Sequence, residues 1–480
     1  MFRARWWVMF PHPEVLASQR TESVCPVCLQ RIPAERIADG DDVYLDKNCP
    51  EHGSFRTIIW RGPPSYESWT GPAKLPSPPE RPSTSVSQGC PFDCGLCPEH
   101  RQHTCCVVLE VTKRCNLNCP VCFAESRAQA ADPDMATIES WFKRLLSTGG
   151  PYNIQLSGGE PTLRDDLPEI ITLGRSLGFS FFQLNTNGLR LASDIAYVRR
   201  LKAAGLGCVF LQFDGTNDAI YRTIRGAALL ADKTKAISNC AAERLGVVLV
   251  PTLVPGVNTG DIGGIIDYAL ARRPAVRGVH FQPISYFGRY PKPPCDGDRI
   301  TIPEVMHQIE RQTEGRIRAA EFRPPAAENA HCSFHGNFVV TSDGTLKPAA
   351  NLSDSGCCGP AAPETKPLVQ LGCCESEAAG AASRKAQQYV ALRWTLPGAD
   401  AAGSAAECPE TMRVDSLDAF LAQSRQQSFC VSGMAFQDAW NIDLERLRDC
   451  FIHVVGADER IVPFCAYNLT DALGNALYRK

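Results

Sequence analysis

Between residues 105 and 320, short apolar runs alternate with amphipathic stretches at a period of about 30 residues. No other feature constrains the fold so tightly. The runs lie at 106–111, 153–156, 181–184, 208–213, 247–250 and 279–282, each bounded by Gly, Pro or Asn. Their length and composition suit strands. Between them Met135, Ile138, Trp141, Phe142 and Leu145 recur at helical spacing. Leu167, Ile170, Ile171 and Leu177 form a second stripe, and Ile195, Val198, Leu201 and Ala204 a third. Further helices are expected near 229–245, 261–272 and 303–314. Strand–helix repetition of this kind requires parallel strands joined by right-handed crossovers. The expected fold is α/β, a partial (β/α)6 barrel, an open relative of the eight-unit barrel. Ligands of such folds sit at the C-terminal ends of the strands.

The flanks differ in texture. Residues 1–104 are rich in cysteine and proline, and 71–82, with five prolines, reads as a stiff linker. Residues 321–480 hold scattered cysteines and an Ala/Gly/Ser-rich stretch, 353–408, expected to be a flexible insertion. Three regions result: 1–104, 105–320 and 321–480.

The chain carries 23 cysteines in 480 residues, which points either to an oxidised secreted protein or to a reduced protein that binds metal. The apolar run after Arg5 ends at Pro11, too short for a signal peptide's core, and no stretch approaches the ~18 apolar residues of a membrane span. The odd count also fits a pure disulfide framework poorly. The expectation is a cytoplasmic protein with reduced thiolates. A net charge of −3 gives no reason to expect a nucleic-acid partner.

The first barrel strand is followed by Cys115-Asn-Leu-Asn-Cys119-Pro-Val-Cys122. Three thiolates in one tight loop can hold three irons of a [4Fe–4S] cluster and leave the fourth open to an external chelator. A zinc knuckle is the alternative for three close cysteines. The second strand ends in Ser157-Gly158-Gly159-Glu160-Pro161, the third in Asn185-Thr186-Asn187-Gly188, and the fourth in Gln212-Phe213-Asp214-Gly215. Ordinary turn chemistry is the plain alternative for Asn187 and Asp214.

The outer cysteines form further sets. Cys25-Pro-Val-Cys28 and Cys49 suit one tetrahedral ion, with His52 or a distant cysteine as fourth ligand. Zinc and a single rubredoxin-like iron are not separable at this level. Cys90, Cys94 and Cys97 repeat the CxxxCxxC spacing ahead of the barrel and suggest an auxiliary [4Fe–4S] cluster, with Cys105 or Cys106 as a further ligand, or zinc. Cys332, Cys430, Cys450 and Cys465 suggest a second one; buried structural thiols are the alternative. The Cys357-Cys358 and Cys373-Cys374 pairs suit redox exchange or handling of a soft ion, or lie in a plain surface loop.

The CxxxCxxC loop after the first strand, with Gly158-Gly159-Glu160-Pro161 one strand later, resembles the radical S-adenosylmethionine (SAM) superfamily. The resemblance implies that Cys115, Cys119 and Cys122 carry the catalytic cluster and that Gly158, Gly159 and Glu160 receive the SAM amino group. It implies SAM contacts for Asn187 and Asp214, and adenine support by the turn at 250–258. Val121 departs from the family pattern, which often has an aromatic residue there. The order CPVC, CPxxCGLCPEH, RCNLNCPVCFAE and PFCAYN is similar to a subgroup with archaeal tetraether lipid synthase, methanopterin-pathway methylases and the bacterial (seleno)proteins called TrsS. The implied chemistry is reductive cleavage of SAM to a 5′-deoxyadenosyl radical that abstracts hydrogen from an unidentified substrate, for methylation or carbon–carbon coupling. A reduced donor such as ferredoxin or flavodoxin would be the partner. The rival class is a non-catalytic electron-transfer or metal-handling protein on the same scaffold.

Overall fold

The computed structural model describes residues 18–71, 78–79, 81–124, 126, 131–325, 327–349, 381–396 and 426–479. The first four strands form an antiparallel sheet of their own: β1 (Ser18–Val24), β2 (Arg31–Asp39), β3 (Asp42–Cys49) and β4 (Gly53–Arg61). Burial along β3 alternates residue by residue, as a sheet with one covered face requires. The sheet is pinned by polar contacts to distant segments. Arg36 Nε donates to Asp443 Oδ2 at 2.6 Å, and the buried Lys47 ammonium donates to the Ala439 carbonyl at 2.8 Å.

The second sheet carries the site. Its centre is six parallel strands: β5 (Cys106–Thr112), β6 (Asn153–Gly158), β7 (Phe182–Thr186), β8 (Cys208–Gln212), β9 (Gly246–Val250) and, after the short β10 (Thr252–Leu253), β11 (Val276–Pro283). Each expected strand is present within a few residues. Intervening helices include α1 (Met135–Ser147), α2 (Leu167–Ser176), α3 (Leu189–Ser193), α4 (Ile195–Ala204), α5 (Asp218–Arg225), α6 (Leu230–Ala242), α7 (Ile262–Leu270) and α8 (Ile302–Gln312). Strand alternation separates two environments. Val107, Leu109, Ile154, Leu156, Leu184, Val209, Leu211, Val247, Leu249 and Phe281 face the helices and build the main core. Their neighbours in sequence face the lumen.

The chain after residue 325 completes this sheet. Following β12 (Ser333–Val340) and β13 (Leu346–Pro348), strand β14 (Ser428–Met434) pairs parallel to β11, and β15 (Ile452–Val455) pairs parallel to β5. Thus one parallel strand is added at each edge of the six. Beyond them β12 and β16 (Ile461–Pro463) run antiparallel, and the sheet stays open.

The stretch 353–408 is not uniformly loop. Ala381–Trp394 is a helix, α9, lying against the N-terminal mouth of the barrel. Asn153 Nδ2 donates to the Gln387 carbonyl at 3.0 Å, and Trp394 packs on Phe210 with ring centroids 4.5 Å apart. The cysteine pairs at 357–358 and 373–374, like residues 1–17, lie outside the described residues. Among the described residues no helix is long and apolar enough to cross a membrane.

Candidate active site and metal centres

The cysteine loop leaves β5 at Thr112 and is fastened at both ends. At its start Arg114 Nε donates to Asp132 Oδ1 at 3.1 Å, and Thr112 Oγ1 donates to the same oxygen at 2.5 Å. At its end Cys122 and Arg289 exchange backbone hydrogen bonds at 2.9 and 3.1 Å, while Arg289 Nε donates to the Cys119 carbonyl at 3.0 Å. Burial, more than its neighbours Glu160 and Cys119, pushes the Cys115 thiol up to about 11. Such a thiol is protonated until a metal displaces the proton.

The Gly158-Gly159-Glu160 turn is stacked directly on this loop. Gly159 N donates to Thr112 O at 2.8 Å, and Glu160 N donates to Arg114 O at 2.7 Å. A Cβ on Gly158, whose φ is +121°, would stand 2.1 Å from the Thr112 carbonyl oxygen; one on Gly159 would stand 2.0 Å from that of Arg114. The glycines are therefore required by the approach of two loops, apart from any ligand. Glu160 is buried. Its Oε1 accepts from Thr162 N (3.0 Å), Thr162 Oγ1 (2.5 Å) and Thr186 Oγ1 (2.6 Å), and its Oε2 from Asn187 N (2.7 Å). The carboxylate is thus held in one orientation at the cavity wall. Asn187 Nδ2 donates to Asn116 Oδ1 at 2.7 Å, tying the third strand's end to the cysteine loop. Beneath it the fully buried Lys233 donates to the Asn187 carbonyl at 2.5 Å, and burial pushes its ammonium down to about 8.

Asp214 occupies a different place from the one expected. It is fully buried behind the cavity wall, and its carboxylate is taken by Arg225, with Nε at 2.7 Å and Nη2 at 2.8 Å, and by Thr252 N at 3.1 Å. The side chain is not among those that line the cavity. Arg225 lines the cavity instead and reaches the Cys119 thiol.

A cavity of about 310 Å³ joins these parts. Cys115, Cys119, Cys122, Gly158, Gly159, Glu160 and Asn187 line its upper end. Below them it follows the lumen past Gln155, Asn185, Gln212, His280 and Gln282 to Trp394 of α9. Gln183 donates to Asn185 at 2.9 Å and Asn185 to Gln155 at 3.3 Å, so an amide chain links β7 to β6. His280 Nδ1 lies 2.9 Å from Ser432 Oγ, and burial brings the imidazole down to about 4, so it is neutral. These lumen residues, with Arg225, were missed from sequence. Their signal was polar residues at every second position, as in Asn153-x-Gln155-x-Ser157 and His280-x-Gln282.

The outer cysteines separate into sets. Cys25, Cys28, Cys49 and His52 have ligand atoms all within 4.8 Å of one another, and among the described residues no other group is so tight. His52 Nδ1 lies 3.7 Å from Cys25 Sγ and 3.5 Å from Cys49 Sγ, which identifies the fourth donor left open by the sequence. That spacing suits one tetrahedral ion. The looser grouping of Cys115, Cys119 and Cys122 suits a cluster, in which each thiolate takes a different iron, better than a zinc knuckle. Cys94 is pushed well up by neighbouring Cys90, by burial and by Cys97. Cys332 and Cys465 are close enough to raise Cys450, which burial already raises strongly. Cys430 is not with them. It pairs with Asn337 on β12, whereas Ser333, next to Cys332, pairs with Met434. Four residues of strand put Cys430 roughly 13 Å away along the sheet, beside Arg277 and Arg393. Cys106 opens β5, Cys105 precedes it, and both line the lumen floor.

Two family models match parts of the chain. Residues 109–269 match the radical SAM superfamily model, and residues 17–61 match the HMPTM N-terminal zinc ribbon domain. The chain is 35% identical to 7,8-dihydro-6-hydroxymethylpterin dimethyltransferase of Methanocaldococcus jannaschii, covering 94% of this chain and 93% of that one. It is 34% identical to Fe-coproporphyrin III synthase of Methanosarcina barkeri over 38% of this chain and 45% of that one. Among solved structures, Streptococcus suis SuiB bound to precursor peptide SuiA matches 45% of this chain and 46% of its own with a TM-score of 0.38 at 14% identity. A thiolate loop after the first strand, a buried glutamate after the second and a full-length relative of this kind leave one assignment: the chain belongs to the radical SAM superfamily and is a radical SAM enzyme.

Proposed function

We propose that the chain is a radical SAM methyltransferase acting on a reduced pterin. One observation carries the substrate class: the cavity that begins at the cysteine loop continues into a lumen lined by amides. Gln155, Asn185, Gln212 and Gln282 offer paired donors and acceptors of the kind that a pterin's lactam and amino edge engages. Phe210 and Trp394 offer flat apolar faces beside them. The activity of the Methanocaldococcus jannaschii relative supports the same class.

Cys115, Cys119 and Cys122 would hold the [4Fe–4S] cluster, and Glu160, in the orientation its four donors impose, would receive the SAM amino group. Asn187 would border the same ligand, and Asp214 would act only by positioning Arg225. When bound, a reduced cluster with one iron open to SAM would supply the electron that splits one SAM into methionine and a 5′-deoxyadenosyl radical, which would take a hydrogen atom from substrate; since that methionine keeps its methyl, the transferred methyl would come from a second SAM, leaving S-adenosylhomocysteine, with a second electron from the reductant. The chain's part is orientation and exclusion of water, to which α9 contributes by covering the far mouth of the lumen.

Cys25, Cys28, Cys49 and His52 would hold a structural zinc, consistent with the zinc-ribbon match. Cys90, Cys94 and Cys97 would hold one auxiliary [4Fe–4S] cluster, and Cys332, Cys450 and Cys465 another. A ferredoxin or flavodoxin would supply electrons, and the cytoplasm would keep the thiols reduced.

The test is anaerobic incubation of the reconstituted full chain with SAM, a strong reductant and 7,8-dihydro-6-hydroxymethylpterin. Methylated pterin by mass spectrometry is expected. SAM cleavage without any methylated pterin would refute the substrate assignment.

A further inference from the structure

Among the described residues four arginines bury an Nε–H with no acceptor: Arg273, Arg446, Arg448 and Arg479. The last three lie near cysteines. An unpartnered buried donor is destabilising, so its retention needs a reason. Each of the three sits beside a different set of cysteines. Arg446 Nη2 lies 3.4 Å from Cys332 Sγ. Arg448 Nη2 lies 3.9 Å from the carboxylate of Glu99, two residues beyond Cys97, and Arg479 Nη1 donates to the carbonyl of Ala124, two residues beyond Cys122, at 3.3 Å.

Arg446 and Arg448 lie on one short helix, Leu444–Arg448, which leads to Cys450. The segment at 444–450 therefore stands between the Cys332 set and the Cys90 set and presents an arginine toward each. Arg479 closes the cysteine loop from the other side: its Nη1 donates to the Ala124 carbonyl at 3.3 Å and to Glu110 Oε2 at 2.8 Å.

Building on the cluster assignment proposed above, we propose that Arg446, Arg448 and Arg479 are the outer hydrogen-bond donors of the three iron–sulfur sites, one each. The unpartnered Nε–H of each serves a cluster sulfur. A cluster gains negative charge on reduction, and an N–H donor or a nearby cation favours that more negative state. The three are positioning residues that set potential, and they are unequal. Arg479 is neutralised by Glu110, with Nη2 2.6 Å from Oε1. Arg448 is surrounded by Glu445, Glu22 and Glu99. Among the described residues no carboxylate forms an ion pair with Arg446, and nearby Asp443 is held by Arg36 at 2.6 Å. Its loss therefore has the largest effect.

The experiment uses the full chain, anaerobically reconstituted with iron and sulfide, as wild type, Arg446→Gln and Arg446→Lys. Iron and sulfide per chain are counted, and midpoint potentials are followed by EPR-monitored redox titration. Wild type should hold iron and sulfide for three clusters; material for one cluster only would overturn the cluster assignment and this inference with it. Given three clusters, Arg446→Gln should lower one midpoint potential by at least a tenfold change in the reduction equilibrium, ~59 mV for a one-electron couple. The other two should stay unmoved, and Arg446→Lys should recover part of the shift. Three unmoved midpoints at full iron content would overturn the arginine inference alone. Should Arg446→Gln lose its iron, wild type labelled with ¹⁵Nε-arginine decides. Pulsed EPR of the reduced clusters should show ¹⁵N coupling, and its absence would overturn the inference.

Discussion

The residues that shape the site do so mostly through other residues. Four donors from 162, 186 and 187 fix where the Glu160 carboxylate stands. Gly158 and Gly159 exist for the contact between two loops, since any Cβ there would strike a backbone oxygen that cannot yield. Gly159→Ala should therefore cost about 1–3 kcal/mol of stability and, by breaking the Glu160 N–Arg114 O hydrogen bond, weaken SAM binding by tenfold or more. Thermal unfolding and calorimetric SAM titration check the two effects together. An alanine variant that binds SAM like wild type would mean that the loop contact is dispensable.

At the scale of elements, the strand–helix alternation was legible because local periodicity encodes it, and all six central strands appear where the pattern put them. What lay beyond reach was long-range pairing. Nothing local in 428–434 or 452–455 says that they flank β11 and β5. Hence Phe429-Cys430-Val431 read as a ligand context although it is a strand whose cysteine sits at the far end from Cys332. Asp214 misled for the same reason. It ends β8 as a cofactor contact would, but its partner Arg225 arrives from the following helix and takes both oxygens. His52 was named but not chosen, since only the fold of β3 onto β4 brings it to Cys25. The Asp214–Arg225 pair gives a sharp expectation. Asp214→Ala leaves a buried guanidinium uncompensated and should destabilise by about 3–5 kcal/mol, whereas the apolar double variant Asp214→Leu/Arg225→Met should recover much of that. Urea unfolding midpoints of the single and double variants measure it, and equal midpoints would show that the charge imbalance is not the cause.

The whole molecule is an open, mostly parallel sheet whose two edges are supplied by its last third, with a four-stranded sheet tied both to that third and, through Arg61 and Glu304, to α8. The lumen is polar, and polar groups buried there make stability depend on pH. His280 is brought down to about 4 by burial, and His335 likewise by burial together with Arg323 and Arg393. Both are neutral in the folded chain, while the unfolded chain binds protons below the ordinary value of 6.5. Between pH 6.5 and 4 the unfolded state thus holds more protons, and stability falls as pH falls, by roughly 3 kcal/mol at most for each histidine. Above pH 6.5 this contribution is complete. Anaerobic urea unfolding from pH 4 to 7.5 should show the slope, and His280→Gln should flatten it; parallel curves would assign the acid sensitivity elsewhere.

The central claim is that the three thiolates of the first βα loop, not those of the outer sets, support SAM cleavage. It is tested most directly by the 5′-deoxyadenosine formed from SAM under strong reductant, with wild type compared against Cys115→Ala/Cys119→Ala/Cys122→Ala. Wild type should release 5′-deoxyadenosine and methionine in equal amounts, and the triple variant none, while it keeps the iron of the outer sets and the metal at Cys25, Cys28, Cys49 and His52. Cleavage that survives in the triple variant, or that is absent from wild type with a filled cluster loop, would contradict the account.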